Sequence, residues 1–285
     1  MRIAMTYTRL RTEERMLLDA FESIGVDVTP IDLRTVVFDP TTPGAWLRYD
    51  AVIDRSVSLT ATLNAVCLLE SFGVRCVNTL AAIRVCADKL ATTIALVRDG
   101  VLTPDVRVAT SVEAGLAGIE ELGYPAVLKP TVGSWGRLIA RINDRDSAEA
   151  VLEHRDTLGS AQQGVFYAQE HIDKPDRDIR VFVVGGDPIA AIVRRSAHWV
   201  TNTARGATAE GLPISEELRS LAARAAAAVG GDAVAVDVLE RRNGELLVNE
   251  LNHSMEFRNS VTTTGVNIPE RVARHVIAVA EGAPA

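Results

Sequence analysis

The segment from residue 233 to residue 252, AVAVDVLERRNGELLVNELN, predicts two apolar strands joined by the turn RRNG. Side chains alternate along a strand, so Glu250 and Asn252 share a face, and an antiparallel hairpin would place Asp237 opposite them. An apolar strand buries carboxylates only where another group compensates their charge. Two carboxylates and an amide oxygen are hard ligands that suit Mg²⁺ shared with substrate phosphates. The segment favours an antiparallel sheet with a metal site, and the alternative is an edge hairpin with solvated polar groups.

The whole chain divides into three parts by its pattern of strands and helices. Residues 1–80 alternate short apolar strands with helices, which predicts a parallel sheet with both faces covered. Residues 81–165 predict a small α+β unit, in which two strands flank a glycine-rich turn. Residues 166–285 contain apolar runs separated by turn residues, which predict a mostly antiparallel sheet. The predicted fold class is therefore α/β (α+β) in three parts.

Charge and composition exclude several classes of function. The 285 residues carry a formal net charge of -7 without any run of lysines or arginines, so we expect no nucleic-acid partner. No apolar stretch approaches the roughly 20 residues that span a bilayer, and the N-terminus becomes polar too early for a signal peptide. Cys67, Cys76 and Cys86 form no CxxC pair and fit a reducing cytoplasm, as small buried hydrophobic residues. These observations predict a cytoplasmic protein without a membrane partner.

A glycine-rich loop, KPTVGSWGRL, spans residues 129–138 between two predicted strands. It matches neither GxxxxGK[ST] nor GxGxxG, which excludes the common phosphate-loop motifs. Its backbone N–H groups and the Ser134 hydroxyl could close over phosphates, but a plain hairpin turn explains the loop equally well. Lys129 before the loop and Lys89 near a helix start could neutralise phosphate oxygens, although a single lysine is more often a solvated surface charge.

Two further strand ends carry polar residues. The run YAQEHID ends an apolar strand whose backbone could hold an adenine, with Glu170 or Asp178 on a ribose. Arg194 and Arg195 end another strand, and only one of them should enter a given site because adjacent residues face opposite ways. A guanidinium group suits the charge that develops on a transferring phosphate, and Asn202 could hold the same oxygens.

In this order, a lysine before a glycine-rich hairpin, a Gln-Glu strand end and an Asp…Glu-x-Asn set resemble the ATP-grasp ligases. The segments GSWGRL, DIRVFVVG, RRSAHWVTNTARG and LLVNELNHSMEFRNSVTTTGV are similar to those of the LysX enzymes of lysine biosynthesis, close relatives of the RimK glutamate ligases. The resemblance covers almost the whole chain, including RTEERML and CADK. The run NHSMEFRNSV is typical of the LysX side, since a RimK-like sequence would carry N-x-x-P-G after the position of Asn252.

The resemblance implies an ATP-grasp fold, with a pre-ATP-grasp domain at 1–80, a central subdomain with a phosphate lid at 81–165 and a C-terminal subdomain with the Mg²⁺ site at 166–285. It implies that ATP phosphorylates a carboxylate and that an α-amino group then forms an amide. In LysX-like enzymes the carboxylate is the C-terminal glutamate side chain of LysW, a small acidic carrier protein. The amine belongs to α-aminoadipate, or to glutamate in arginine pathways. We accordingly expect ATP, two Mg²⁺ ions, a LysW-type partner and a homo-oligomer.

The resemblance also assigns roles by position. ATP phosphates would contact Lys89 and Lys129, under a lid of Gly133, Ser134, Trp135, Gly136 and Arg137. Adenosine would be held by Gln169, Glu170, His171, Ile172 and Asp178. The phosphate and the reacting carboxylate would meet Arg194 and Asn202, and substrate carboxylates would meet Arg195 and Arg258. Mg²⁺ would be bound by Asp237, Glu250 and Asn252.

Some features leave the substrate open. The family usually carries T-A-R-G-G, where this chain has Ala207 in place of the second glycine, beside the expected amine site. Trp135 could cap the nucleotide or face the carrier tail. A RimK-like ligase that extends another protein's tail, and a carrier ligase of specialised metabolism, are the enzymatic alternatives. A non-enzymatic nucleotide-binding protein is the third, and it would have no need to keep buried carboxylates.

Overall fold

The computed structural model describes residues 1–133, 136–160, 164–196, 198–199, 201 and 208–282. Its first part is a parallel sheet in the order β2-β1-β3-β4, from β1 (Ile3–Tyr7), β2 (Val28–Asp32), β3 (Ala51–Asp54) and β4 (Arg75–Val77). Helices α1 (Thr12–Ile24) and α2 (Leu59–Ser71) pack on opposite faces, because Ile3 and Met5 join the core around α1 while Ala4 joins the core around α2. The parallel sheet predicted from the sequence is confirmed.

Two consecutive helices, α3 (Leu80–Ala87) and α4 (Lys89–Arg98), lead into a second sheet. This sheet is antiparallel in the order β5-β8-β6-β7, from β5 (Val106–Ala109), β6 (Ala126–Lys129), β7 (Ala140–Ile142) and β8 (Phe166–Glu170). Helices α5 (Val112–Leu122) and α6 (Arg145–Leu158) cover it through a small apolar core. The sequence analysis placed residues 166–170 with the third part, but β8 pairs with both β5 and β6, so its hydrogen bonds belong to the central sheet.

The third sheet is antiparallel in the order β11-β10-β9-β12-β13. Its strands are β9 (Arg177–Val184), β10 (Asp187–Arg195), β11 (Thr208–Gly211), β12 (Ala233–Glu240) and β13 (Leu246–Asn252). Helix α7 (Glu216–Val229) covers one face, and α9 (Ile268–Ala280) packs on the other, after the short helix α8 (Arg258–Thr264). Burial on both faces explains the continuous apolar run of β9, where Val181 and Val183 meet α7 while Phe182 and Val184 meet α9.

The cysteines only partly match the expected small buried residues. Cys76 is buried and Cys86 is partly buried, and burial raises the pKa of the Cys86 thiol to about 12. Cys67 is exposed on α2, which corrects the expectation for that residue. Across the described part of the chain, no helix is long and apolar enough to cross a membrane.

Candidate active site

A cavity of about 1110 Å³ is lined by the second and third sheets and by residues that follow two strands of the first sheet. One wall is the end of β6 and β8, and another is a face of β9, β10, β12 and β13. The connection from β1 to α1 and the residues after β13 line the end of the cavity that lies farthest from β6 and β8. Small-molecule sites commonly enclose about 300–1,000 Å³, so this cavity has room for a nucleotide together with a second substrate.

The face of the third sheet that lines the cavity carries a row of charged side chains. Asp237 on β12 lies opposite Glu250 on β13, which confirms the hairpin register predicted from the sequence. On its other side, Asp237 lies opposite Arg180 on β9, and Asp178 on β9 lies opposite Arg194 on β10. The Asp237–Arg180 and Asp178–Arg194 pairs place opposite charges side by side, which stabilises cross-strand pairs, whereas Asp237 and Glu250 are like charges that need a cation between or beside them.

Asp237 contacts two guanidinium groups. Nε and Nη2 of Arg180 each donate to one of its oxygens at 2.7 Å, and Nη2 of Arg194 lies at 3.3 Å. Burial alone would raise the pKa of Asp237, but the two guanidinium groups overcome this effect and hold the pKa at about 2. Asp237 is therefore ionised at any pH at which an enzyme of this kind would work.

Arg194 is fixed in turn by Asp178. Its Nε donates to Oδ1 of Asp178 at 2.6 Å, and the hydroxyl of Thr201 also contacts that carboxylate. Burial acts to lower the pKa of Arg194, but Asp237 and Asp178 raise it above its ordinary value. A charged guanidinium group held in one position is suited to an anion in the cavity.

Two lysines lie where the first and second walls meet. Nζ of Lys129 donates to Oε1 of Gln169 at 2.5 Å and to Oδ1 of Asn249 at 2.9 Å. Burial lowers the pKa of Lys129 to about 8, although Glu250 acts to raise it. Nζ of Lys89, at the first residue of α4, donates to the carbonyl of Gly133 at 2.8 Å and lies 3.8 Å from Oε2 of Glu250. Both ammonium groups thus face the cavity beside the glycine-rich loop.

Comparison with protein families shows which family the chain belongs to. Residues 86–276 match the family model of the RimK-like ATP-grasp domain, and residues 3–85 match that of the LysX preATP-grasp domain. The chain belongs to the RimK-like ATP-grasp family. Members of this family are ATP-dependent ligases that use a divalent metal, and this protein is therefore an ATP-dependent ligase.

Named relatives align over nearly the whole chain. A glutamate–LysW ligase ArgX of Sulfurisphaera tokodaii is 33% identical over 97% of this chain and 98% of its own. An alpha-aminoadipate–LysW ligase LysX of the same organism is also 33% identical, over 96% of this chain and 97% of its own. The crystal structure of a RimK-domain ATP-grasp protein from Sphaerobacter thermophilus superimposes with a TM-score of 0.80 at 29% identity, covering 97% of this chain and 100% of that chain. The ATP-grasp fold predicted from the sequence is confirmed.

The three side chains expected to hold the metal differ in how many partners they already have. Glu250 is partly exposed, and among the described residues its only charged partner is Lys89 at 3.8 Å, so its carboxylate is available to a hard cation. Nδ2 of Asn252 is buried without a hydrogen-bond acceptor among the described residues. An amide N–H₂ group donates, so this atom suits a phosphate oxygen, and a cation would have to be bound by Oδ1 of the same side chain. Asp237 is engaged by Arg180 on both oxygens, so it would have to share or exchange this contact. In the described ranges, no group of three His, Cys, Asp or Glu side chains is placed to hold a metal ion. The expected metal ligands are therefore limited to two carboxylates and one amide oxygen.

Of the five residues expected to hold adenosine, Glu170 and Asp178 already bind other residues of the protein. Oε1 of Glu170 accepts from the backbone N–H of Asp105 at 3.0 Å and from Arg241 at 2.7 Å. Both carboxylate oxygens of Asp178 are used by Arg194 and Thr201. A ribose contact by either carboxylate is therefore not what the structure favours, and Asp178 positions Arg194 instead. The other three residues of this group line the cavity: Gln169, His171 and Ile172.

The two arginines expected to meet substrate carboxylates lie in different places. Arg195 is exposed and is not among the residues that line the cavity; Glu210 on β11 lies at 3.6 Å, because Arg195 faces away from Arg194 on the same strand. The alternation argument that only one of the two arginines enters the site holds for Arg194. Arg258, by contrast, lines the far end of the cavity.

The glycine-rich loop is described in part. Gly133, Gly136 and Arg137 line the cavity, so the described part of the expected lid lies beside the two lysines. The expectations for Ser134, Trp135 and Asn202 fall outside the described residues, as does the substitution at Ala207.

Sequence reasoning missed several cavity residues, of which Arg180, Lys174 and Asn249 contact the residues described above. Arg180 could have been found, since it is two residues after Asp178 and so shares its face. Lys174 lies in a predicted turn, but its Nζ donates to Oγ1 of Thr201 at 2.7 Å, and burial lowers its pKa. Asn249 should face away from Glu250 by strict alternation. A β-bulge opposite Asp237 and Val238 adds one residue at this point and turns Asn249 toward Lys129.

Proposed function

We propose that this protein joins the α-amino group of glutamate or α-aminoadipate to the C-terminal glutamate side chain of a LysW-type carrier protein, at the expense of ATP. Relatives that bear LysW ligase names match this chain over nearly its full length. One observation of the structure carries the proposal. A single cavity runs from the lysines beside the glycine-rich loop to a basic opening formed largely by the N-terminal part.

This basic opening consists of Arg9 and Arg15, which flank the start of α1, and Arg258 at the start of α8. All three are exposed and line the cavity. Among the residues that the structure describes, no carboxylate lies within ion-pair distance of their guanidinium groups. Arginine binds carboxylates through paired hydrogen bonds, so uncompensated arginines favour an anionic substrate. An acidic carrier tail and a dicarboxylic amino acid both have this chemistry.

The chemistry follows in two steps. A carboxylate oxygen of the carrier attacks the terminal phosphorus of ATP, which gives an acyl phosphate and ADP. The amine then attacks the acyl carbon, and inorganic phosphate leaves with that oxygen. Lys89, Lys129 and Arg194 would neutralise charge around the transferring phosphoryl group. Mg²⁺ held by Glu250 and Asn252, with Asp237 beside them, would supply further neutralisation of phosphate charge.

The two candidate amino acids differ by one methylene group. Such a difference is commonly worth about 1–3 kcal/mol in a binding pocket. The ArgX and LysX relatives match at the same 33% identity, so the amino acid is an outcome of the test.

The test is ligation by the purified full chain with ATP, Mg²⁺ and a LysW-type carrier that ends in glutamate. We expect a single mass increase on the carrier with one of the two amino acids, together with ADP release. No mass increase with either would overturn the proposal, and repeated glutamate additions would assign a RimK-like tail ligase instead. Two neighbouring arginines give a matched pair of variants: Arg194→Lys should lose most activity, whereas Arg195→Lys should retain it because Arg195 lies outside the cavity.

A further inference from the structure

The segment between β13 and α8 connects the expected metal ligands to Arg258 and lies at the far end of the cavity. We call residues 253–257 the acceptor loop. Its side chains alternate: Ser254 and Glu256 line the cavity, whereas Met255 and Phe257 are buried in the apolar core. The position of this loop therefore sets the shape of the cavity where the basic opening begins.

Two backbone carbonyls of the acceptor loop accept hydrogen bonds from the N-terminal sheet. Nη2 of Arg55 donates to the carbonyl of Met255 at 2.8 Å. Nδ2 of Asn78 donates to the carbonyl of His253 at 2.8 Å. Arg55 directly follows β3 and Asn78 directly follows β4, so both come from the carboxyl ends of adjacent parallel strands.

The side chain of Arg55 is almost fully buried, at 4% exposure, and two of its three nitrogens have partners in the two parts that it connects. Nε lies 3.2 Å from Oε1 of Glu14, itself fully buried on α1, and the guanidinium group lies over the ring of Phe257 at 5.7 Å from its centroid. Glu14 also pairs with Arg11, whose Nη1 reaches Glu256 of the loop at 3.2 Å. The ion pairs of Arg55 with Glu14, Glu14 with Arg11 and Arg11 with Glu256 thus connect the N-terminal part to the acceptor loop.

Asn78 is used just as completely. Its Oδ1 accepts from the backbone N–H groups of Asp232 and Ala233 at 2.8 Å each, and its Nδ2 also donates to the carbonyl of Ala233 at 2.9 Å. Asn78 therefore ties the start of β12 to the acceptor loop. Burying polar groups is costly unless all their hydrogen bonds are made, and two such groups at one loop define its position more sharply than apolar contacts would.

We infer that Arg55 and Asn78 are positioning residues through which the N-terminal sheet sets the geometry of the acceptor loop, and hence the binding of the carrier or the amine, with a much smaller effect on ATP. The inference rests on the proposed function for the identity of these substrates. Neither side chain lines the main cavity, where Lys89 and Lys129 lie, so ATP binding should depend on them less than binding of the other substrates does.

Two variants weaken the two contacts separately. Arg55→Lys keeps a positive charge beside Glu14 but lacks the planar group that reaches Glu14 and the Met255 carbonyl together. Asn78→Asp keeps an acceptor for two backbone N–H groups but loses both donated bonds. In each we expect the KM for the carrier or the amino acid to rise about tenfold, as for loss of a buried hydrogen bond, while the KM for ATP changes less than about twofold.

Arg75→Lys is the matched control. Nη1 of Arg75 also crosses to the C-terminal part, where it contacts the carbonyls of Val279 and Ala280 on α9 at 3.4 and 3.2 Å, but it does not touch the acceptor loop. We expect all its kinetic constants to stay near those of the wild type. Unchanged substrate KM values in both variants, or equal rises in the KM for ATP, would overturn the inference.

A second measurement separates this inference from the proposed function. Backbone amide exchange of residues 253–258, followed by mass spectrometry on the full chain with bound ADP, should speed up in Arg55→Lys and Asn78→Asp but not in Arg75→Lys. If the wild type ligates nothing, the proposed function fails, and this exchange pattern still decides whether the two residues hold the loop. Unchanged exchange in both variants would show that they do not.

Discussion

We expect the buried ammonium group of Lys129 to make ATP binding depend on pH. Its pKa is lowered to about 8, first by burial and then by Lys89 and Lys174, with Glu250 acting in the opposite direction. ATP phosphates would bind the protonated form. Since the pKa lies near the working pH, the protonated fraction changes strongly over an accessible range.

The magnitude follows from this pKa. With a pKa of about 8, Lys129 is protonated in about nine molecules of ten at pH 7 and in about one of ten at pH 9. If only the protonated form binds, the Kd for ATP rises about tenfold across this range, which corresponds to about 1.4 kcal/mol. In Lys129→Arg the group remains charged throughout, so the rise should disappear.

Isothermal titration calorimetry with ATP at pH 7, 8 and 9, at constant ionic strength, measures how the Kd for ATP changes with pH. Lys129→Arg is the control that removes the titration of ATP itself and of other groups. The reasoning is refuted if the wild-type Kd changes less than about twofold, or if Lys129→Arg shows the same rise as the wild type.

The remaining predictions concern stability. The folded chain releases the Lys129 proton near pH 8, whereas the unfolded chain releases it near pH 10.5. The free energy of unfolding should therefore rise between these two pH values, by up to about 3 kcal/mol, as measured by denaturant titration. Lys129→Met should lack this rise. Asp237→Asn leaves Arg180 and Arg194 without their shared carboxylate and should cost about 3–5 kcal/mol in the same assay, and a loss under about 1 kcal/mol would contradict the ion-pair account. Gly211→Ala puts a Cβ 2.7 Å from the carbonyl oxygen of Thr263 and should cost about 1–3 kcal/mol, whereas Gly164→Ala meets nothing within 4 Å and should be nearly neutral; equal melting temperatures would refute the steric argument.

The sequence pattern predicted those parts of the fold that depend on local periodicity. Strand and helix alternation was enough for the N-terminal parallel sheet, and period-two alternation was enough for the Asp237–Glu250 register and for the opposite directions of Arg194 and Arg195. In each case the alternation of apolar and polar residues along one segment predicts which of its faces is buried. The family resemblance added the order of the sheets.

Long-range pairings could not be predicted in the same way. Nothing local in β8 indicates that it joins β5 and β6, because this choice depends on which strand edges are free in the folded chain. The bulge that turns Asn249 toward Lys129 is one extra residue, which leaves no mark on the apolar pattern. Arg55 and Asn78 looked like ordinary polar residues after strands, since their partners in the acceptor loop lie 200 and 175 residues away.

The central claim is that a carrier carboxylate becomes an acyl phosphate before the amine attacks. This is tested most directly with a LysW-type carrier in which both oxygens of the terminal glutamate side-chain carboxylate are ¹⁸O. The account predicts that each amide formed releases one inorganic phosphate containing one ¹⁸O atom, because the carboxylate oxygen that attacked phosphorus leaves with it. Unlabelled phosphate alongside amide product would contradict the account, since the carboxylate would then not have been phosphorylated.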